Sequence, residues 1–275
     1  MLRDVILDAY ARLFARPGLA KWNRFLHQLS LRGLGVLNYR SDALSGELPF
    51  AKRLLPTLDG ADSVVLDIGG NEGAFTALAL ASTRQARVIA FEPHPGTHAR
   101  LAARFGGEPR VGVVNAAVGA DAGTLRLYDY PDGDGSGHAT LLAGVIDRPG
   151  GGEARAHDVT VTTLDAHPLP GRVRFVKIDV EGYELAVLQG ARRVLAEHRP
   201  DVVLLEFNEM NATAKTFFTD VAAALPGYRA YRLLPAGRLL RLGHPYHALS
   251  HEIFAYQNLV FLSSDTDAQG RVHSR

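Results

Sequence analysis

The stretch Val64-Val65-Leu66-Asp67-Ile68-Gly69-Gly70-Asn71-Glu72-Gly73 passes from an apolar run through a carboxylate into glycines, and an apolar helical pattern resumes at Ala74. Such a passage describes a buried parallel strand that turns sharply into a helix, leaving bare backbone where a ligand can approach. Its charge sets it apart from a dinucleotide-binding turn. A pyrophosphate here would meet the carboxylates of Asp67 and Glu72, and like charges in a partly desolvated cleft repel. A cofactor with positive charge and no phosphate suits the same turn. S-adenosylmethionine, with its sulfonium and ammonium groups, is of that kind.

Outward from this turn, short apolar runs alternate with helical stretches, which predicts an α/β fold with a parallel sheet covered on both faces. Strands are expected at 64–68, 87–91, 111–115, 175–179, 201–206, 228–233 and 258–262, and helices at 74–82, 96–105, 183–196 and 213–225. Between 118 and 175 the rhythm changes: 124–130 and 159–164 alternate like antiparallel or edge strands, joined by glycine-rich links at 132–137 and 149–152. A β-rich insertion of about 119–172 is where a substrate-specific segment would sit.

Upstream, 1–37 reads as helical with a break at Pro17-Gly18, and residues 1–44 are taken as a helical N-terminal cap. The cap is expected to pack on the main domain or on a second subunit, and in the second case a homo-oligomer would form through it. A membrane-surface helix is disfavoured because acidic residues interrupt a thin basic face. A further helix opens at Ser45-Gly46-Glu47, with Glu47 favoured in a first turn by the helix dipole. The catalytic domain is taken as 45–263 and the rest, 264–275, as a polar tail.

Composition narrows the function. In 275 residues, 47% are apolar and 21% charged, as in a globular enzyme with a sizeable core. The net charge of +1 gives no overall call for nucleic acid or an anionic membrane, and no basic stripe with interleaved aromatics is found. Absence of cysteine removes disulfides, thiolate catalysis and zinc–thiolate sites. Asp4, Asp8 and Arg12 interrupt the first apolar residues, and no run is long enough to span a bilayer, so the expectation is a cytoplasmic protein with no export signal and no integral membrane segment.

Three further strand ends carry polar groups. Ala90-Phe91-Glu92-Pro93 puts Glu92 19 positions beyond Gly73, close to the spacing of an acid that grips a ribose diol. Asn115-Ala116-Ala117 leaves room for a flat ring and offers an amide or backbone group to an adenine edge. Lys177-Ile178-Asp179-Val180-Glu181-Gly182 places two carboxylates at alternate positions, one for the methionine ammonium and one for the acceptor, with Lys177 free to pair with either.

Together these fragments resemble the FkbM-type S-adenosylmethionine-dependent methyltransferases. The resemblance rests on Asp67 to Gly73, Ala90 to Pro93, Asn115 to Gly119 and Val176 to Glu184, with the lesser marks Gly123, Thr163-Leu164-Asp165, Leu188-Gln189-Gly190-Ala191 and Arg199-Pro200 leading to Glu206. It implies a class I methyltransferase (Rossmann-like) sheet, mostly parallel with an antiparallel last strand. It also implies, usually, O-methylation of a hydroxyl on a sugar, glycan or natural product. Gly70 stands where the family usually has alanine, and Gly137-His138-Ala139-Thr140 where it usually has serines; the second departure touches the acceptor site.

The expected cofactor residues are thus Asp67, Gly69, Asn71, Gly73, Glu92, Asn115, Ala116, Ala117 and Asp179. The expected catalytic residues are Glu181, Asp179 and His138, with Glu181 or His138 taking the acceptor proton and Asp179 mainly a cofactor ligand. Asp179, Glu181 and Glu206 could converge on a magnesium-like ion, but no metal is counted among the expected cofactors. His244, His247 and His251 read as a surface loop, and Arg229, Arg232, Arg238 and Arg241 as a solvated strand face. The competing expectations are a nicotinamide-dependent oxidoreductase, which lacks its middle glycine because Asn71 stands there, and a non-catalytic ligand-binding relative.

Overall fold

A computed structural model describes residues 2–129, 139–142, 155–243, 245–264 and 266 of the chain. Among them the strands are β1 Ser63–Ile68, β2 Arg87–Phe91, β3 Val111–Val114, β4 Ala117–Val118, β5 Gly123–Asp129, β6 Arg155–Thr162, β7 Arg172–Ile178, β8 Val202–Phe207, β9 Tyr228–Leu234, β10 Arg238–Arg241 and β11 Gln257–Ser263. Eight form one sheet in the order β10-β9-β11-β8-β7-β1-β2-β3. Strands β3, β2, β1, β7 and β8 run parallel, and β11 enters antiparallel between β8 and β9. This is the Rossmann-like α/β sheet with an antiparallel last strand expected from the sequence. The unexpected piece is β10, an antiparallel edge folded back on β9.

Every residue of β1 is buried, because helices cover both faces of a parallel sheet. Side chains alternate between two cores. Val64, Leu66 and Ile68 join Val187, Val194 and Val221 on one face. Val65 joins Phe50, Leu54 and Phe75 on the other, under the helices Glu47–Leu54 and Ala74–Ser82. Asp67 shares the pleat of Val65, so the alternation sends its carboxylate beneath the helix that follows the turn.

Two expected helices differ from the observed ones. The stretch 183–196 is two short helices, Glu184–Gln189 and Arg192–Glu197. The second is capped from afar: Asp165 accepts from the N–H groups of Arg193 and Val194, each at 2.9 Å. The helix expected over 213–225 starts later, as Phe218–Ala224, because Lys215 adopts a positive φ of 56° and Asp220 caps the Phe217 N–H at 2.9 Å. Strands β5 and β6 pair antiparallel from Gly123 with Val161 to Asp129 with Arg155, and β4 completes their small sheet.

The helices Leu2–Phe14 and Ala20–Gly33 bury none of their residues. They are held to each other by Asn23, which accepts from the Tyr10 hydroxyl at 2.6 Å and donates to the Phe14 carbonyl at 2.9 Å. Contact with the body follows the second helix: the Leu34 carbonyl accepts from Arg232, Val36 bridges to Gln257, and the Leu37 N–H donates to the Tyr256 carbonyl. The expected packing of these helices on the main domain is therefore not what forms. At the other end Thr266 is buried and its hydroxyl donates to Asp201 at 2.7 Å, so the segment after β11 starts docked rather than frayed.

Two side-chain expectations are also overturned. Arg232 is fully buried, donating to Gln257, Ser250 and Leu34, and burial pushes its guanidinium down to about 10. The pairing of β10 outside β9 and the passage of Leu34 over it remove that arginine from solvent. His251 is buried too, its ring nitrogens against the carbonyls of His247 and Gly243. His244 lies outside the described residues.

Candidate active site

A crevice opens at the carboxyl ends of β1, β2 and β7, where ligands enter open α/β sheets. Gly69, Asn71, Glu92, Ala116, Asp179 and Glu181 are among the residues that line it. Gly69 is required there by contact: at φ +85° a Cβ would stand 1.8 Å from the Asp179 carbonyl oxygen. The ends of β1 and β7 can approach each other only because that atom is absent.

At one end Glu92 is fixed by backbone. Its carboxylate accepts from the Asn71 N–H at 2.9 Å and the His94 N–H at 2.8 Å. Asn71 holds the turn in a left-handed conformation that asparagine tolerates, with φ 44°. Burial pushes the Glu92 carboxyl up to about 7, against the opposing pull of those two amides. Each carboxylate oxygen keeps a second lone pair, so hydroxyl donors can still be accepted. Ala116 and Ala117, with Phe91, Leu127 and Leu141, form an apolar slot beside it.

At the other end Asp179, Glu181 and Glu206 bring carboxylate oxygens within 4.8 Å of one another. The Asn208 amide donates to Glu181 at 2.8 Å and to Glu206 at 2.9 Å, so one side chain ties two carboxyl groups together. Burial first, then the charges of Asp179 and Glu181, hold Glu206 well above the usual carboxylate range. Lys177 sits behind, donating to Asp179 at 2.8 Å. Burial alone would push its ammonium down, but Asp179, Glu47 and Asp67 more than reverse that, and it is raised. Glu181 has a left-handed backbone with φ 51°, and Thr140 donates to its carbonyl at 2.7 Å. Gly182 follows at φ +97°, where a Cβ would lie 2.6 Å from the Leu142 side chain. Strained backbone of this kind is typical of sites whose side chains must point one way.

The crevice thus gathers Gly69, Asn71, Glu92, Ala116, Ala117, Asp179 and Glu181 of the expected residues. Three expected cofactor residues stand behind it instead. Asp67 is buried under the turn, accepts from the Thr76 hydroxyl at 2.7 Å, and leaves its other oxygen with no hydrogen-bond partner among the described residues. Gly73 packs on Leu101 and Phe105. The Asn115 amide donates to the carbonyls of Glu92 and Pro93, bracing the end of β2 rather than facing a ring. Glu72 also turns away, paired with Arg100 at 3.3 Å, so it adds little to the charge of the crevice. His138 lies outside the described residues. Sequence reasoning missed Asn208; the signal was a polar side chain two positions after Glu206, on the same pleat at a strand end.

The family model described as "Methyltransferase FkbM domain" matches residues 67–233. The chain belongs to the FkbM methyltransferase family. Among curated proteins, it is 29% identical over 163 residues to "Hexuronic acid methyltransferase AglP" of Haloferax volcanii, covering 57% of this chain and 61% of that protein. It is 28% identical over 147 residues to "Methyltransferase 1" of Beauveria bassiana, covering 47% and 58% respectively. The matched region thus spans about three-fifths of the length of these curated relatives. Among solved structures, an O-methyltransferase from Bacillus cereus crystallised with its demethylated cofactor covers 94% of this chain and 96% of its own, at 11% identity and a TM-score of 0.41.

The cofactor of this FkbM chain is S-adenosylmethionine. The donor set of the crevice fits it: a buried carboxylate beside an apolar slot suits a ribose and its base, and carboxylates at the far end suit a cationic amino-acid portion.

Proposed function

We propose that this chain transfers the methyl group of S-adenosylmethionine to a hydroxyl oxygen of a sugar, glycan or natural product. The observation that carries the reading is one crevice with Glu92 at one end and Asp179 and Glu181 at the other, in a chain of the FkbM family. The sugar-directed name of the Haloferax volcanii relative supports the acceptor class.

In this reading Glu92 accepts from the ribose hydroxyls, the Ala116–Ala117 slot takes the base, and Asp179 faces the ammonium group. The cofactor supplies an electrophilic methyl on a sulfonium. The chain's own work is to align the acceptor oxygen and to take its proton as the new bond forms. Glu181 is the residue assigned to that proton: it lines the crevice, and Asn208 and the strained backbone fix its direction. Glu206, whose carboxyl burial and the charges of Asp179 and Glu181 hold well above the usual range, accepts from the same Asn208 amide and so anchors it beside Glu181. Lys177 stands behind Asp179 and donates to its carboxylate, fixing its position.

A radiolabelled methyl-transfer screen over neutral, amino and uronic sugars and small phenolic or polyketide hydroxyls tests the proposal. Transfer to an oxygen, lost in Glu181→Gln while the cofactor still binds, is the expected result. Transfer only to nitrogen or carbon acceptors would overturn it.

A further inference from the structure

We infer that the helix Ala20–Gly33, with the segment leading into it, is a docking face for an anionic lipid surface. The two N-terminal helices bury nothing of their own on the body, yet carry large apolar side chains in the open: Trp22 is 52% exposed, Phe25 48% and Leu29 49%. These three recur at i, i+3 and i+7, which places them on one side of the helix. An apolar stripe of this size left in water marks a surface that something covers.

Charge says what covers it. Asp8 is the last carboxylate before Asp42, and between them stand Arg12, Arg16, Lys21, Arg24, Arg32 and Arg40 with no acidic residue. The whole chain is only +1, so the basic charge is segregated into this segment and the remainder is net negative. Arg12, Arg16, Lys21 and Arg24 are exposed, and Lys21 and Arg24 share the helix that carries the aromatic stripe. The acids that seemed to interrupt a basic face, Asp4 and Asp8, both belong to the first helix and leave the second clean. A basic helix with exposed tryptophan and phenylalanine lies well in the headgroup region of an anionic bilayer, the rings entering the acyl boundary and the cations staying among the phosphates. A second copy of the chain fits less well. An isologous contact through this helix would set basic residues against basic residues, with no carboxylate from 9 to 41 to pair with them. The binding is peripheral, since no described helix is long and apolar enough to cross a membrane.

Flotation of the full chain tests this with vesicles of phosphatidylcholine, with and without phosphatidylglycerol. The expected result is capture by the phosphatidylglycerol vesicles at least about tenfold stronger than by neutral ones, weakened by salt. Lys21→Glu with Arg24→Glu, and separately Trp22→Ser with Phe25→Ser, should each lower capture at least about tenfold. Both pairs should leave thermal unfolding and cofactor titration as in the parent chain, because the replaced side chains touch solvent. Failure to float, equal capture by neutral and anionic vesicles, or undiminished capture of both variants would overturn the inference. So would sedimentation showing a dimer that Trp22→Ser with Phe25→Ser dissolves while no vesicle binds; that result would assign the face to a second copy.

Discussion

At the Glu92 end of the crevice the carboxylate is gripped by two backbone N–H groups, whereas at the Glu181 end it is steered by the side chain of Asn208. Backbone amides are positioned by the sheet and the turn themselves, so the first end keeps its shape whatever the neighbouring side chains are. The second end is a network in which Asn208, Glu181 and Glu206 each depend on the others, and such networks fail as units. Ribose binding by Glu92 at one end and proton handling by Glu181 at the other should therefore be separable by mutation, with Asp179 the cofactor contact of the second end.

The largest expected effect is at the network. Glu181→Gln should lower turnover by about 10²–10⁴ while cofactor affinity changes less than about threefold, the range for loss of a positioned base; single-turnover kinetics beside calorimetry would show it. An equal fall in affinity would merge the two ends and break the comparison. Next is Lys177→Met, which leaves Asp67 and Asp179 without their buried cation and should cost roughly 3–5 kcal/mol of stability in denaturant titrations. Asn208→Ala should slow turnover by about tenfold, since it leaves two carboxyl groups without their shared donor. Its cofactor titration should match the parent chain, and weaker binding would show that the network reaches the other end.

The smallest effect is a pH dependence. Glu92 and Glu184 both titrate at about 7 when folded, raised chiefly by burial above their ordinary range. The folded chain thus holds protons that the unfolded chain releases. The stability these groups contribute is complete below the unfolded carboxylate pKa and is lost as pH rises through about 7. Melting temperatures of the cofactor-free protein should fall from about pH 5 to about pH 8, and a rise over that window would contradict the burial argument.

What the sequence revealed was what is local. An apolar run ending in Asp67 and glycines, or in Glu92 and Pro93, reports a strand end by itself, and the sheet with its antiparallel β11 followed. Direction across the pleat was harder. Asp67 reads as a ligand-facing acid until its sharing of a face with Val65, beneath Thr76, is seen. Partners distant in sequence were invisible: the helix cap supplied by Asp165 to Val194, the burial of Arg232 by Leu34, and the bridge from Asn208 to Glu181. Asp165 and Gly190 read as separate family marks in the sequence; the Asp165 N–H donates to the Gly190 carbonyl at 3.0 Å, so they are two halves of one joint.

Calorimetric titration of S-adenosylmethionine into the parent chain, Glu92→Gln and Glu181→Gln tests the assignment of the two ends most directly. Glu92→Gln should weaken binding by about 10–100-fold, as expected for losing a charged acceptor of two hydroxyls, with Glu181→Gln close to the parent. Unchanged affinity in Glu92→Gln would contradict the account, because the cofactor would then lie somewhere other than against the carboxylate at the end of β2.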